Sequence, residues 1–89
     1  MKKDNLLNVL GKSHAIDILE SLSKRSMRFT DLEEICKSKR TRAARLKELE
    51  KEGLIISVPK IIGRRACIFY EITPKGRKAL TLGKKLRNL

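Results

Sequence analysis

The hydrophobic period of this chain changes after Gly53, and that change limits the possible folds more than any other feature. Up to Gly53 the pattern is helical: "RLKELEKEG" carries Leu46 and Leu49 and stops at a glycine suited to a left-handed cap. Beyond it come "LIISVP" and "ACIFYEI", rich in β-branched and aromatic residues. Between them "KIIGRR" holds Gly63 followed by Arg64 and Arg65. This predicts a β-hairpin over about residues 54–72 with a basic tip. Ile68, Tyr70 and Ile72 fall on one face, Cys67 and Phe69 on the other. A helix restarts at "TPKGRKAL", with Thr73 as N-cap and Pro74 at the first helical position.

Upstream the period is helical. "NLLNVL" predicts a short leading helix ended by Gly11. Ser13 is placed to cap the next helix, where Ala15, Ile18, Leu19 and Leu22 follow i, i+3, i+4, i+7 spacing. Met27 to Phe29 reads as a very short strand. "TDLEEICK" opens on a capping box, Thr30 with Glu33, and predicts about two turns of helix with Leu32, Ile35 and Cys36 inside. The third helix spans about residues 38–52. On an ideal wheel Ala43, Leu46 and Leu49 share a face, with Arg40, Thr41, Ala44, Arg45 and Glu48 opposite. The whole is an α+β chain: a three-helix core, a β-hairpin wing and a C-terminal helix, the order of a winged helix-turn-helix. The 89 residues form one domain with no repeat or linker, 1–89.

Charge narrows the function. The net charge is +12, which implies a polyanionic partner, nucleic acid or an anionic surface. The third helix sharpens this. Ser38 to Arg45 holds Lys39, Arg40, Arg42 and Arg45 and no acid, while Glu48, Glu50 and Glu52 come only later. Cations at a helix N-terminus oppose the macrodipole, and like charges at i,i+3 and i,i+4 repel. An external anion would compensate.

Several classes fall away. No apolar run approaches the ~18 residues that span a bilayer. The apolar part of "MKKDNLLNVLGK" is too short for a signal peptide, so a cytoplasmic, nucleoid-associated protein is expected. One His and two Cys supply no zinc set, and no metal or cofactor is expected. No nucleophile–base pair, phosphate loop or carboxylate pair suggests an enzyme. Charged residues at 36% with aromatics at 3% fit a thermophile or archaeal source.

Together "LGKSHAIDILESL", "MRFTDLEEI", "RLKELEKEGLI" and "YEITPKGRKAL" resemble the HxlR-type winged-helix transcriptional regulators, and less closely the MarR and ArsR groups. The likeness covers roughly Leu10 to Leu80. The turn before the third helix is one or two residues shorter than in those families, Arg42 stands where an apolar residue is usual, and His14 stands where many carry a bulky aromatic. The resemblance implies a homodimer on a palindromic operator, often a repressor, with the third helix in the major groove and the wing at a minor groove.

On this reading the double-stranded DNA contacts are Ser38, Lys39, Arg40, Thr41, Arg42, Ala44 and Arg45 on the third helix, and Lys60, Arg64 and Arg65 on the wing. Arginine pairs bidentately with guanine, and the methyls of Thr41 and Ala44 suit a thymine methyl. Ser38 caps the helix or reaches a phosphate. For Arg42 two placements stay open: its stem along the core with its head at a phosphate, or a helix rolled relative to the ideal wheel. Leu82, Leu86 and Leu89 pack on the first helix or form a dimer seam with "NLLNVL". Cys36, near Lys37, Lys39 and Arg40, is a buried hydrophobe or a redox-sensitive thiol. The competing functions are a non-specific architectural nucleic-acid binder and a winged-helix subunit of a transcription complex. Few aromatics argue against single-stranded RNA.

Overall fold

The computed structural model describes residues 2–88. Its elements in chain order are α1 (Lys2–Gly11), α2 (Ala15–Lys24), β1 (Met27–Arg28), a 3₁₀ turn (Thr30–Glu34), α3 (Lys39–Lys51), β2 (Ile55–Ile62), β3 (Arg65–Ile72) and α4 (Pro74–Arg87). The three strands form one antiparallel sheet in the order β1-β3-β2. Three helices, a hairpin wing and a C-terminal helix make the expected winged helix-turn-helix. Among the described residues no helix is long and apolar enough to cross a membrane.

The core forms where apolar stripes converge. Ala15, Ile18, Leu19 and Leu22 of α2 are all buried, as their spacing predicts. They pack with Leu32, Leu46, Leu49, Leu54, Ile55, Ala79 and Leu80. The hairpin joins this core only at its base. Ile55 pairs with Ile72, and Met27 with Tyr70, on the inward face of the sheet. Towards the tip the same face runs out past the core, leaving Ile68 and Ile61 exposed.

Two junctions hold the wing between its helices. At the end of α3, Gly53 adopts φ +76. Its N–H reaches Glu50 O at 3.0 Å and the Leu54 N–H reaches Leu49 O at 3.0 Å. That pair of bonds is a Schellman motif, with Leu54 and Leu49 in the buried hydrophobic positions. At the start of α4, Thr73 Oγ1 accepts from the Gly76 N–H at 2.9 Å and donates to Gly53 O at 2.7 Å. The Thr73 N–H also donates to Leu54 O at 3.0 Å. A Cβ on Gly76 would lie 2.0 Å from Leu54 O. "EGL" and "TPKG" are thus two halves of one contact between the entry to β2 and the first turn of α4.

Two local expectations are corrected. Ser13 does not cap α2. His14 takes the cap position with φ 68, its carbonyl accepting from the Ile18 N–H at 2.9 Å. The Thr30–Glu33 capping box does not form either, because Phe29 holds the cap position in helical conformation with no side-chain cap bond. The Asp31 carboxylate instead accepts the Arg28 N–H at 2.9 Å. The segment closes as a single 3₁₀ turn rather than two turns of α-helix.

Candidate nucleic-acid interface

α3 begins as its sequence predicts. Ser38 is the N-cap, its hydroxyl accepting from the Thr41 N–H at 3.2 Å. That bond satisfies one of the free donors of the first turn. The helix is rolled relative to the ideal wheel, however. Its inner face is Arg42, Leu46 and Leu49, and Ala43 is exposed. The outer face is consequently Arg40, Ala43, Ala44, Lys47 and Lys51, spaced i, i+3, i+4, i+7, i+11. This stripe holds three cations, two small side chains and no acid. Arg40, Lys47 and Lys51 form no ion pair with any described residue.

Arg42 is the reason for the roll, and its assignment to DNA is corrected. The side chain is 1% exposed. Its Nη1 donates to Phe29 O at 2.9 Å and its Nη2 to Lys37 O at 3.4 Å. The guanidinium carbon lies over the Phe29 ring, 4.3 Å from the centroid. Arg42 therefore ties the start of α3 to both ends of the preceding turn, and reaches no solvent where a phosphate would sit. Its Nε has no partner, so the buried cation is held by two carbonyls and one ring face.

Two further candidates make contacts within the protein. Arg45 turns inward: its Nε donates to Ser13 O at 2.9 Å and its Nη1 to Glu48 Oε1 at 2.9 Å. It ties α3 to the turn before α2. Lys60 lies opposite Cys67 in the outer half of the wing, but its side chain runs back toward the root, with Nζ 3.3 Å from both Ser26 Oγ and Glu71 Oε2 and 4.9 Å from the Phe69 ring centroid. Ser38, Lys39, Arg40, Thr41 and Ala44 lie together at the start of α3, all exposed except the half-buried Thr41. Arg64 and Arg65 lie apart from them, exposed at the hairpin tip. Gly63, with φ +64, opens that two-residue loop. Lys47 and Lys51 are exposed on the same face of α3 as Arg40 and are not among the residues expected from the sequence. Placing Arg42 inside rotates the wheel by one position and puts both on the outer face.

The acids of α3 are held inside the protein's own contacts. Glu48 accepts from Lys12 at 2.6 Å and from Arg45. These bonds, that of Lys12 first, hold its carboxyl below the usual glutamate value. Glu50 accepts from Ser57 Oγ at 2.9 Å, linking α3 to the root of the wing. Both acids of α3 thus have partners within the protein, while Arg40, Lys47 and Lys51 form no ion pair with any described residue. Cys36 is buried, its Sγ 3.8 Å from Ser38 O. Among the described residues no group of three His, Cys, Asp or Glu is placed to hold a metal.

Fold and charge together define a winged helix-turn-helix protein with a basic outer helix face. The chain belongs to the HxlR-like helix-turn-helix family, whose model matches residues 9–89, and is at that level a DNA-binding transcriptional regulator. Its fold is similar to that of a proposed MarR-family transcriptional regulator from Enterococcus faecalis V583. That similarity has a TM-score of 0.79 at 20% identity and covers 93% of this chain and 76% of that one. It is also similar to a proposed transcriptional regulator from Thermoplasma acidophilum, with a TM-score of 0.61 at 24% identity, covering 84% of this chain and 85% of that one. No curated protein matches the sequence.

Proposed function

We propose that this protein is a sequence-reading homodimeric regulator that represses by occupying its operator. The observation that carries this reading is the acid-free outer stripe of α3. In helix-turn-helix docking the first turns of the recognition helix reach base edges. Arg40 is the candidate for a bidentate guanine contact, and Ala43 and Ala44 are short enough to let the backbone approach a thymine methyl. Ser38, Lys39 and Thr41 flank them as phosphate ligands. Lys47 and Lys51 continue the cationic line along the helix. Arg64 and Arg65 place a second pair of cations at a minor groove, whose potential attracts arginine most where it is narrow.

The dimer reading rests on a second face. Leu7, Leu82 and Leu86 are exposed, while α4 packs on α2 through Ala79, Leu80 and the close approach of Gly83 to Ile16. An open groove of about 390 Å³ lies between α1 and α4, lined by Leu7, Leu10, Ile16 and Leu86 among others. A second copy covering this apolar strip would enlarge a core that is small for independent stability. Leu89 of the expected seam lies outside the described residues.

The test is duplex binding at several salt concentrations, comparing DNA from upstream of the protein's own gene with a scrambled duplex of equal composition. A specific regulator binds the first more tightly, and the preference persists as salt rises. Non-specific binding gives identical curves with one steep slope. Sedimentation of the complex gives the number of copies bound.

A further inference from the structure

The wing carries more than charge. Ile61 is 80% exposed, Ile62 52% and Ile68 50%. Ile61 pairs with Ala66 and Pro59 with Ile68 in the hairpin register, so these four lie on one sheet face beyond the core. Ile62, paired with Arg65, lies on the other face. The turn between them is only Gly63 and Arg64, and nothing described covers the tip. The root is braced by Ser57 on Glu50 and by Lys60 on Ser26 and Glu71. A braced hairpin therefore presents an apolar point with two arginines beside it.

We infer that Ile61, with Ile62 behind it, is a wedge that enters the minor groove, parts a base step and bends the duplex, while Arg64 and Arg65 hold the flanking phosphates. This rests on the DNA-binding reading above. An occupant must offer an apolar slot with anions on both sides. Stacked bases between two phosphate strands do so, and exposed isoleucine is among the side chains that serve as such wedges. A second copy does not, because its tip carries the same two arginines. An anionic membrane offers phosphate over hydrocarbon. However, the tip lacks the tryptophan or tyrosine that anchors at that interface, and the basic stripe of α3 belongs to a helix-turn-helix. Pyrimidine–purine steps unstack most readily, so the step under the wing should be of that kind.

The experiment uses a duplex selected by the intact protein from a random pool, labelled at both ends for energy transfer and carrying 2-aminopurine at the candidate step. The wild-type protein is expected to bend it by about 20–90° and to raise the 2-aminopurine fluorescence. Ile61→Asn should abolish most of both signals. It should keep the salt slope of binding, since no phosphate contact is lost, and keep the melting temperature, since the side chain is exposed. Arg64→Ala with Arg65→Ala should lower that slope. An unbent duplex bound by a protein that still needs Arg40 and Lys47 overturns the wedge and leaves the recognition helix standing. Failure to select any duplex overturns both readings. So does Ile61-dependent binding to phosphatidylglycerol vesicles in preference to duplex.

Discussion

The guanidinium of Arg42 stacks 4.3 Å from the Phe29 ring centroid while donating to the Phe29 carbonyl at 2.9 Å. One side chain thereby fixes where the turn ends and how α3 is rolled. No carboxylate neutralises it, so its hold comes from hydrogen bonds and the ring face. Arg42→Ala leaves two buried carbonyls and a cavity, and should cost about 3 kcal/mol of stability. Arg42→Lys should recover little of this, because an ammonium cannot stack flat while reaching two carbonyls. Chemical denaturation measures the loss. The salt slope of DNA binding, measured on folded protein, should stay the same. A lower slope would return Arg42 to the phosphates.

Arg40 and Arg45 separate reading from tethering. Arg40→Ala should lose about 1–3 kcal/mol of preference for the operator over random duplex. Arg45→Ala should leave that preference largely intact and lower stability, since its guanidinium binds Ser13 O and Glu48. Competition binding and denaturation on both variants check the pair. Equal loss on both DNAs for Arg40→Ala would remove its role in sequence reading.

Most of the fold was legible because its signals are local. The stripe from Ala15 to Leu22, the glycine after α3, the change of period and the Thr73–Pro74 start each act within a few residues. The site was only half legible. Charge and position single out Arg40, Ala44, Arg64 and Arg65, and all four are exposed. The inward contacts of Arg42, Arg45 and Lys60 are not legible, because charge alone does not say which way a long side chain turns. The bonds of Arg42 to Phe29 and Lys37, of Arg45 to Ser13 and of Lys60 to Ser26 span 5 to 34 residues, and no periodicity encodes them. Burying Arg42 brought Lys47 and Lys51 outward and Ala43 with them.

Gly76 tests the junction between wing and α4. Its missing Cβ would meet Leu54 O at 2.0 Å and Ile72 Cγ1 at 2.7 Å. Backbone cannot yield as a flexible side chain does, so Gly76→Ala must move α4 away from the entry to β2. A loss of about 3 kcal/mol is expected, at the upper end of overpacking costs. It should far exceed that of Gly11→Ala, where nothing lies within 4 Å. Paired thermal melts compare the two. Similar melting temperatures would mean that the junction is loose.

Acid should loosen the attachment of α3 to the turn before α2. Glu48 is held below its usual value of 4.5, first by its hydrogen bond from Lys12 and also by Arg45. A carboxyl lowered in the folded state binds protons more readily when unfolded, so it stabilises the fold above the unfolded value. That contribution falls away as pH drops from about 4.5 through the lower folded value. Asp31, lowered chiefly by the Arg28 N–H, and Glu20, lowered chiefly by Lys84, act in the same direction. Denaturant midpoints should therefore be nearly flat from neutral pH to about 5 and decline below it. Glu48→Gln should lower the neutral plateau and make the acid decline shallower, because one of the three groups no longer titrates. An unchanged acid slope in Glu48→Gln would show that the Lys12 bond does not persist in solution.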